Sequence, residues 1–268
     1  QAMAGGAVPG DVFCGLQFAY GEDELGKTGR TTLGHAVDAS AGGLMYGELL
    51  PEGVSKALQR LGAKEGRGTL LELGCGTGKV AVQAFLECPN VRRVVGIELS
   101  LPRFKAAAAA AERLAEHRPP GQEPEHRFAI VSRTEDRVEL TECSTGRTLE
   151  FVQGDFAQAP AGLFHEASFV FLQVVLPEAA ALAAQRLLLE APDGCRAFML
   201  PDFAATWALS EPFSFHAASG PDDRFAVSWS DAGHRFYIFE ADRTRPPTIT
   251  ARSAQKLQAE AVADGHEL

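Results

Sequence analysis

The chain has 268 residues, 46% of them hydrophobic and 22% charged, with a formal net charge of −10 at pH 7. That length can bury a sizeable core, the composition is that of an ordinary globular protein, and the acidic balance argues against a protein that grips nucleic acid through phosphate contacts. No apolar run approaches the ~20 residues of a membrane span, and five scattered cysteines without a C-x-x-C spacing suggest neither a disulfide framework nor a zinc site, so a reducing, intracellular compartment is expected.

Residues 1–45 are rich in Gly, Thr and Ala with weak periodicity, and "GKTGRTTLGHAVDASAGG" reads as a long loop. Apolar residues at 50, 54, 57, 58 and 61 have helical spacing, closed by Gly62. Strands and helices then alternate. "GTLLELG" is a strand, "KVAVQAFLEC" a helix stopped before Pro89, and "VRRVVGIEL" a second strand. "LPRFKAAAAAAERLAEH" is a helix with Ser100 as N-cap, and its alanine run lets it lie close to a sheet. Residues 127–143 read as an inserted hairpin, and 148–153 as a strand that returns to the main sheet. "ASFVFLQVVL" is a continuous apolar strand, "PEAAALAAQRLLLE" a helix and "CRAFMLPDF" another strand. "RFAVSWS" and "HRFYIFEAD" read as a hairpin around Asp-Ala-Gly, followed by a loose tail with a weak helix near 253–262. The expected fold is therefore α/β: a doubly wound, mostly parallel seven-stranded sheet with a C-terminal antiparallel hairpin. Residues 1–62 would form a covering segment, 63–242 the Rossmann-like domain and 243–268 a tail.

The stretch "LLELGCGTGK" carries the chemistry. Gly74, Gly76 and Gly78 lie between a strand and a helix, where a ligand approaches the backbone or the chain turns in a way a Cβ forbids. A P-loop fails: Leu73 stands where its first glycine belongs, and Val80 follows the lysine. A dinucleotide fingerprint fits Gly76-x-Gly78-x-x-Ala81. An acidic residue followed by G-x-G-x-G, as in sites for S-adenosyl-L-methionine, fits Glu72, Gly74, Cys75, Gly76 and Gly78. Glu98, 20 residues past Gly78 and followed by Leu99, suits a pair of ribose hydroxyls in either case. "QGDF" tips the balance: Asp155 suits an adenine amino group and Phe156 can flank the ring.

This Glu98/Asp155 pair and the terminal hairpin resemble the class I S-adenosylmethionine-dependent methyltransferases. Three further stretches, "LMYGELLPEGVSKAL", "LELGCGTGKVAVQAFLE" and "RFAVSWSDAGHRFYIFEA", resemble in this order the Dot1 family of histone-lysine methyltransferases, over roughly residues 44–240. The resemblance implies that Tyr46 and Glu48 sit over the methionine end of the cofactor and that Trp229 and Phe236 line the channel for the target side chain. The family's Val-Asn-Asn-x-x-Phe is replaced here by "FLQVVLP", where Gln173 is the one amide able to stand beside the methyl group. The basic segment with which such enzymes hold nucleosomes is absent. The implied partner is a protein, a histone being the family's own, in the nucleus if so and in the cytoplasm otherwise. A small-molecule methyltransferase, a cofactor-binding scaffold without activity and NAD-dependent reduction are the alternatives.

Overall fold

The structure, a computed structural model, describes residues 7–21, 25, 47–117, 127–212, 215–217 and 223–247. Helix α1 (Gly10–Tyr20) occupies part of the region expected to be loop. Its buried residues Val12, Gly15, Leu16, Ala19 and Tyr20 recur at helical spacing, and a Cβ on Gly15 would press on Leu86. Close packing thus overrides the poor helix propensity of glycine. The long Gly/Thr loop, the residues near 253–262 and Tyr46 lie outside the described residues.

From α2 onward the elements follow the sequence pattern. Helix α2 (Pro51–Leu61) starts with proline in its first turn and ends at Gly62, whose φ of 70° is the left-handed cap that glycine adopts without strain. Strand β1 (Gly68–Leu73) leads through the glycine turn into α3 (Lys79–Glu87), then β2 (Val91–Glu98) and α4 (Leu101–Glu116). Ser100 stands at the N-cap position of α4, but its side chain makes no capping bond and its buried hydroxyl has no partner. Strands β3 (Phe128–Arg133) and β4 (Arg137–Glu142) form the inserted hairpin, and β5 (Thr148–Gln153) follows. Next come α5 (Ala161–His165), β6 (Ala167–Leu172), α6 (Glu178–Glu190), β7 (Arg196–Met199), α7 (Phe203–Thr206) and the short β8 (Phe215–Ala217). The last strands are β9 (Arg224–Val227), β10 (Ser230–Arg235) and β11 (Tyr237–Ala241).

The main sheet has nine strands in the order β3-β4-β5-β2-β1-β6-β7-β11-β8. Strands β5, β2, β1, β6 and β7 are parallel, and β11 runs antiparallel between β7 and β8. The seven strands from β5 to β8 have the Rossmann-like class I methyltransferase order. The other two come from the inserted hairpin, which extends the same sheet past β5 through an antiparallel pairing with β4. The buried Arg147 fastens that insert: it pairs with Glu142 and donates to the carbonyl oxygens of Val91 and Cys88.

The C-terminal hairpin differs from the expected one. The chain reverses at Ser228–Trp229, not at Asp231–Gly233, and β9 with β10 forms a separate two-stranded sheet. Gly233, with φ of 72°, sits where the β10 register slips, so the Asp-Ala-Gly signal marks a bulge. The reversal is fixed from elsewhere in the chain: Leu50 N–H bonds Ala226 O, and Ser228 N–H bonds Glu48 O.

Alternation along β1 decides which layer each residue meets. Leu70 packs in the core beneath α1–α4, whereas Leu71 and Leu73 pack in the core beneath α5–α7. Glu72 therefore points to the α3 side, at the carboxyl end of its strand.

Candidate functional site

A cavity of about 480 Å³ opens at the carboxyl ends of β1 and β6, where parallel α/β sheets place their ligands. Its walls come from the 47–49 strip, the glycine turn (Gly74 to Thr77), the start of α3, Gln173 to Val175 after β6, Leu200 after β7 and the β9–β10 reversal.

The glycine turn is bare for geometric reasons. Gly74, Gly76 and Gly78 have φ of 72°, 57° and 83°, a region that costs L-residues strain. A Cβ on Gly78 would lie 2.6 Å from Phe151 and 2.9 Å from Ala107, so this glycine also lets α3 settle onto the sheet. Gly74 and Gly76 face the cavity. Gly74 N–H and Cys75 N–H both donate to Ile97 O, which ties the turn to β2. From the N-terminal side the buried Tyr20 hydroxyl donates to Thr77 O at 3.1 Å.

The acidic residues take distinct places. Glu98 ends β2 and accepts from Gly76 N–H at 2.7 Å and from Ser100 N–H at 2.8 Å. It is buried beside the turn and does not itself line the cavity. Asp155 is exposed; one of its oxygens accepts from Ala157 N–H, capping the short 3₁₀ turn that contains the buried Phe156. Asp155, Phe156 and the exposed Leu99 lie off the cavity wall.

Glu72 is fully buried, and burial pushes its carboxyl up to about 8, against the opposing effect of two hydrogen bonds. Those bonds come from Gln173 Nε2 and Ala81 N–H, at 2.8 and 2.9 Å. The Gln173 amide thus spends its N–H on Glu72 while its side chain also lines the cavity. Burial likewise raises the Cys75 thiol well above its ordinary range, so it stays a neutral wall group.

On the opposite wall Trp229, 45% exposed, lies across Gly47, where a Cβ would fall 2.4 Å from the indole. Phe236 is elsewhere. It is fully buried and stacks on Phe198 with ring centroids 4.6 Å apart, because it falls at the junction of β10 and β11 and turns into the core. The place the resemblance gave it is taken by His234, whose ring is 5.6 Å from Trp229. Burial, then Arg224, lowers the His234 pKa, so the imidazole is neutral at neutral pH.

The wall residues that had no role in the sequence reading include Lys79, Arg103, Ser228 and His234. Lys79 Nζ pairs with Glu48 Oε2 at 2.8 Å. The lysine follows Gly78 directly, and its place opening a helix after a glycine turn was the available signal. Gln83, within the stretch "LELGCGTGKVAVQAFLE", is structural: its amide donates to Pro51 O and to Glu87, anchoring α2. Among the described residues no group of three or more His, Cys, Asp or Glu could hold a metal ion, and no helix is long and apolar enough to cross a membrane.

No protein-family model matches the chain, and no curated protein matches it. Solved structures do. The chain is 18% identical to an RNA methyltransferase from Salinibacter ruber in complex with S-adenosyl-L-homocysteine, covering 73% of this chain and 94% of that one with a TM-score of 0.44. It is 17% identical to a 16S rRNA (adenine(1408)-N(1))-methyltransferase from Catenulisporales acidiphilia, covering 74% and 95% with a TM-score of 0.39. A third match, a SAM-dependent methyltransferase from Thiobacillus denitrificans in complex with S-adenosyl-L-homocysteine, shares 18% identity over 65% and 60% with a TM-score of 0.38. The first two of these act on RNA. Likeness at this level carries no conclusion about activity or substrate, and the fold is read from the strand order itself.

Proposed function

We propose that the protein transfers a methyl group from S-adenosyl-L-methionine to an amine, that of a protein lysine side chain. The observation that carries this reading is one continuous cavity joining the glycine turn to an acceptor wall made of Gln173, Trp229 and His234. The bound cofactor supplies a methyl group on a positively charged sulfur. The residues present suit it. Glu98 uses two of its roughly four lone-pair positions on Gly76 and Ser100, and the others remain for ribose hydroxyls.

On the acceptor side, Gln173 has its carbonyl oxygen left to accept an N–H from an amine, since its own N–H is held by Glu72. Val174, Val175, Leu200 and Trp229 make this wall apolar. An ammonium would be poorly solvated there, so the lysine reacts as the neutral amine. The neutral His234 adds no positive charge to repel it.

Incubation with tritiated S-adenosyl-L-methionine tests the reading, with core histones, nucleosomes, lysate proteins and total RNA as separate acceptors. Label on protein lysine supports it. Label on RNA alone, or on small molecules alone, overturns the lysine assignment, and no label on any acceptor overturns the activity.

A further inference from the structure

His234 is half-buried in the cavity wall, and among the described residues neither of its ring nitrogens makes a hydrogen bond. A bulge sets its direction: the pairing of β10 with β9 slips between Ser230 and His234, and Gly233 holds a φ of 72° there. Bulges beside ligand sites commonly re-aim a side chain in this way. Aromatic neighbours hold the ring from two sides, with centroids 5.6 Å from Trp229 and 5.5 Å, edge to face, from Phe236. The charged groups on the elements around it are Arg224 on β9, Lys56 on α2, Asp231 and Arg235 on β10, and Glu48, Lys79 and Arg103 on the cavity wall. Burial, then Arg224, lowers the His234 pKa, so the neutral imidazole keeps one nitrogen lone pair for accepting. Packing thus fixes a polar ring whose acceptor no protein group satisfies, which is the state of a group that meets a ligand.

We propose that His234 accepts one N–H of the acceptor amine while the Gln173 carbonyl oxygen accepts the other, and that this pair of acceptors makes an unmethylated lysine the preferred substrate. This rests on the lysine reading of the cavity. Both side chains line that cavity, and the Gln173 amide N–H is already held by Glu72, which leaves its oxygen free to accept. A neutral primary amine has two N–H bonds and one lone pair. With both N–H bonds held, the lone pair has one direction left, and methyl transfer needs it in line with the bond that breaks. The N–C bond then forms, the C–S bond breaks and its electron pair stays on sulfur. Positive charge passes to the nitrogen, which keeps both of its protons. The two hydrogen bonds therefore become charge-assisted during the transfer and stabilise the transition state more than the bound amine. A monomethylated amine has one N–H, so it uses one of the two acceptors and sets a methyl group against the other.

A time course of methylation tests this, with recombinant core histones and lysate proteins as acceptors and mass spectrometry counting the methyl groups on each lysine. The readout is the ratio of first-methyl to second-methyl rate within one sample, so a loss of folded protein cancels. The wild type is expected to add the first methyl several-fold faster than the second. His234→Phe keeps a ring between Trp229 and Phe236 but removes the acceptor. It should slow the first transfer by about tenfold or more and the second by no more than about threefold. His234→Leu replaces it if the phenylalanine variant does not fold. His234→Asn and His234→Gln carry an amide oxygen near the places of Nδ1 and Nε2, and at least one should restore most of the ratio. Calorimetry with S-adenosylhomocysteine should give the same affinity for all of these proteins. Equal slowing of both transfers, no slowing of either, or no rescue by either amide overturns the proposal and leaves His234 as a packing residue. So does a wild type that adds both methyl groups at one rate. Wild-type protein that labels RNA or small molecules but no lysine overturns the lysine reading itself, and this proposal with it.

Discussion

Gln173 Nε2 donates to Glu72 Oε1 at 2.8 Å, across the gap between two parallel strands, and so couples the cavity wall to the residue that opens the glycine motif. The other oxygen of Glu72 holds Ala81 N–H in the first turn of α3. One buried carboxyl therefore holds both the helix that follows the turn and the amide that lines the cavity.

This carboxyl has a pH signature. Burial raises it to about 8 in the folded chain, above its ordinary 4.5. The folded state then holds a proton that the unfolded state has lost between those values. Its contribution to stability is fully present below about pH 4.5 and is lost as pH rises to about 8. Glu72→Gln should remove that slope. Urea denaturation from pH 5 to 9 should show the variant gaining on the wild type as pH rises, with the difference level above about pH 8. Parallel pH curves would contradict the raised carboxyl, whatever fixed offset the lost hydrogen bonds produce.

Glu98→Ala should weaken S-adenosylhomocysteine binding by about 1–3 kcal/mol, because charge-assisted hydrogen bonds to the ribose are lost. The variant also frees Gly76 N–H from its partner, so calorimetry should be paired with a melting curve. Unchanged affinity would place the ribose away from β2.

Gly78→Val should destabilise the fold by roughly 2–4 kcal/mol, through left-handed strain and overpacking against Phe151 and Ala107. Chemical denaturation measures this. A variant as stable as wild type would show that α3 can shift off the sheet, and that the tight contact is not required.

Trp229→Ala should open the cavity mouth and lower methyl transfer more than it lowers cofactor affinity, since the indole covers Gly47 on the acceptor side. In the wild type, transfer to lysine should rise with pH across 6–9 as the neutral amine becomes available. A flat profile, together with an unaffected Trp229 variant, would place the acceptor elsewhere.

Much of the fold was legible because helix α2, strands β1, β2 and β6, and the capping glycine at 62 obey simple periodicities. Helix α1 was hidden by Gly10 and Gly15; the cost of Gly15 is offset by its close packing on Leu86. The reversal at Ser228–Trp229 depends on bonds to Glu48 and Leu50, nearly 180 residues away, while Asp-Ala-Gly offered a stronger local turn signal. The glycine turn and Glu98 could be placed by motif alone. The contact of Gln173 with Glu72 arises from the parallel alignment of β1 with β6, and the Lys79–Glu48 pair from the docking of a preceding strip, so neither has a signature in one dimension. Phe236 and His234 show the limit most clearly. They are two positions apart on the same hairpin, and the core took the phenylalanine while the cavity took the histidine.

The measurement closest to the central claim is a pair of calorimetric titrations of the wild-type protein, one with S-adenosyl-L-methionine and one with NAD. Both cofactors suit a glycine turn followed by an acidic strand end, so the comparison decides between them directly. The expected result is binding of S-adenosyl-L-methionine with a dissociation constant on the order of micromolar, near −8 kcal/mol, and no binding of NAD. Tighter binding of NAD, or no binding of S-adenosyl-L-methionine, would contradict it.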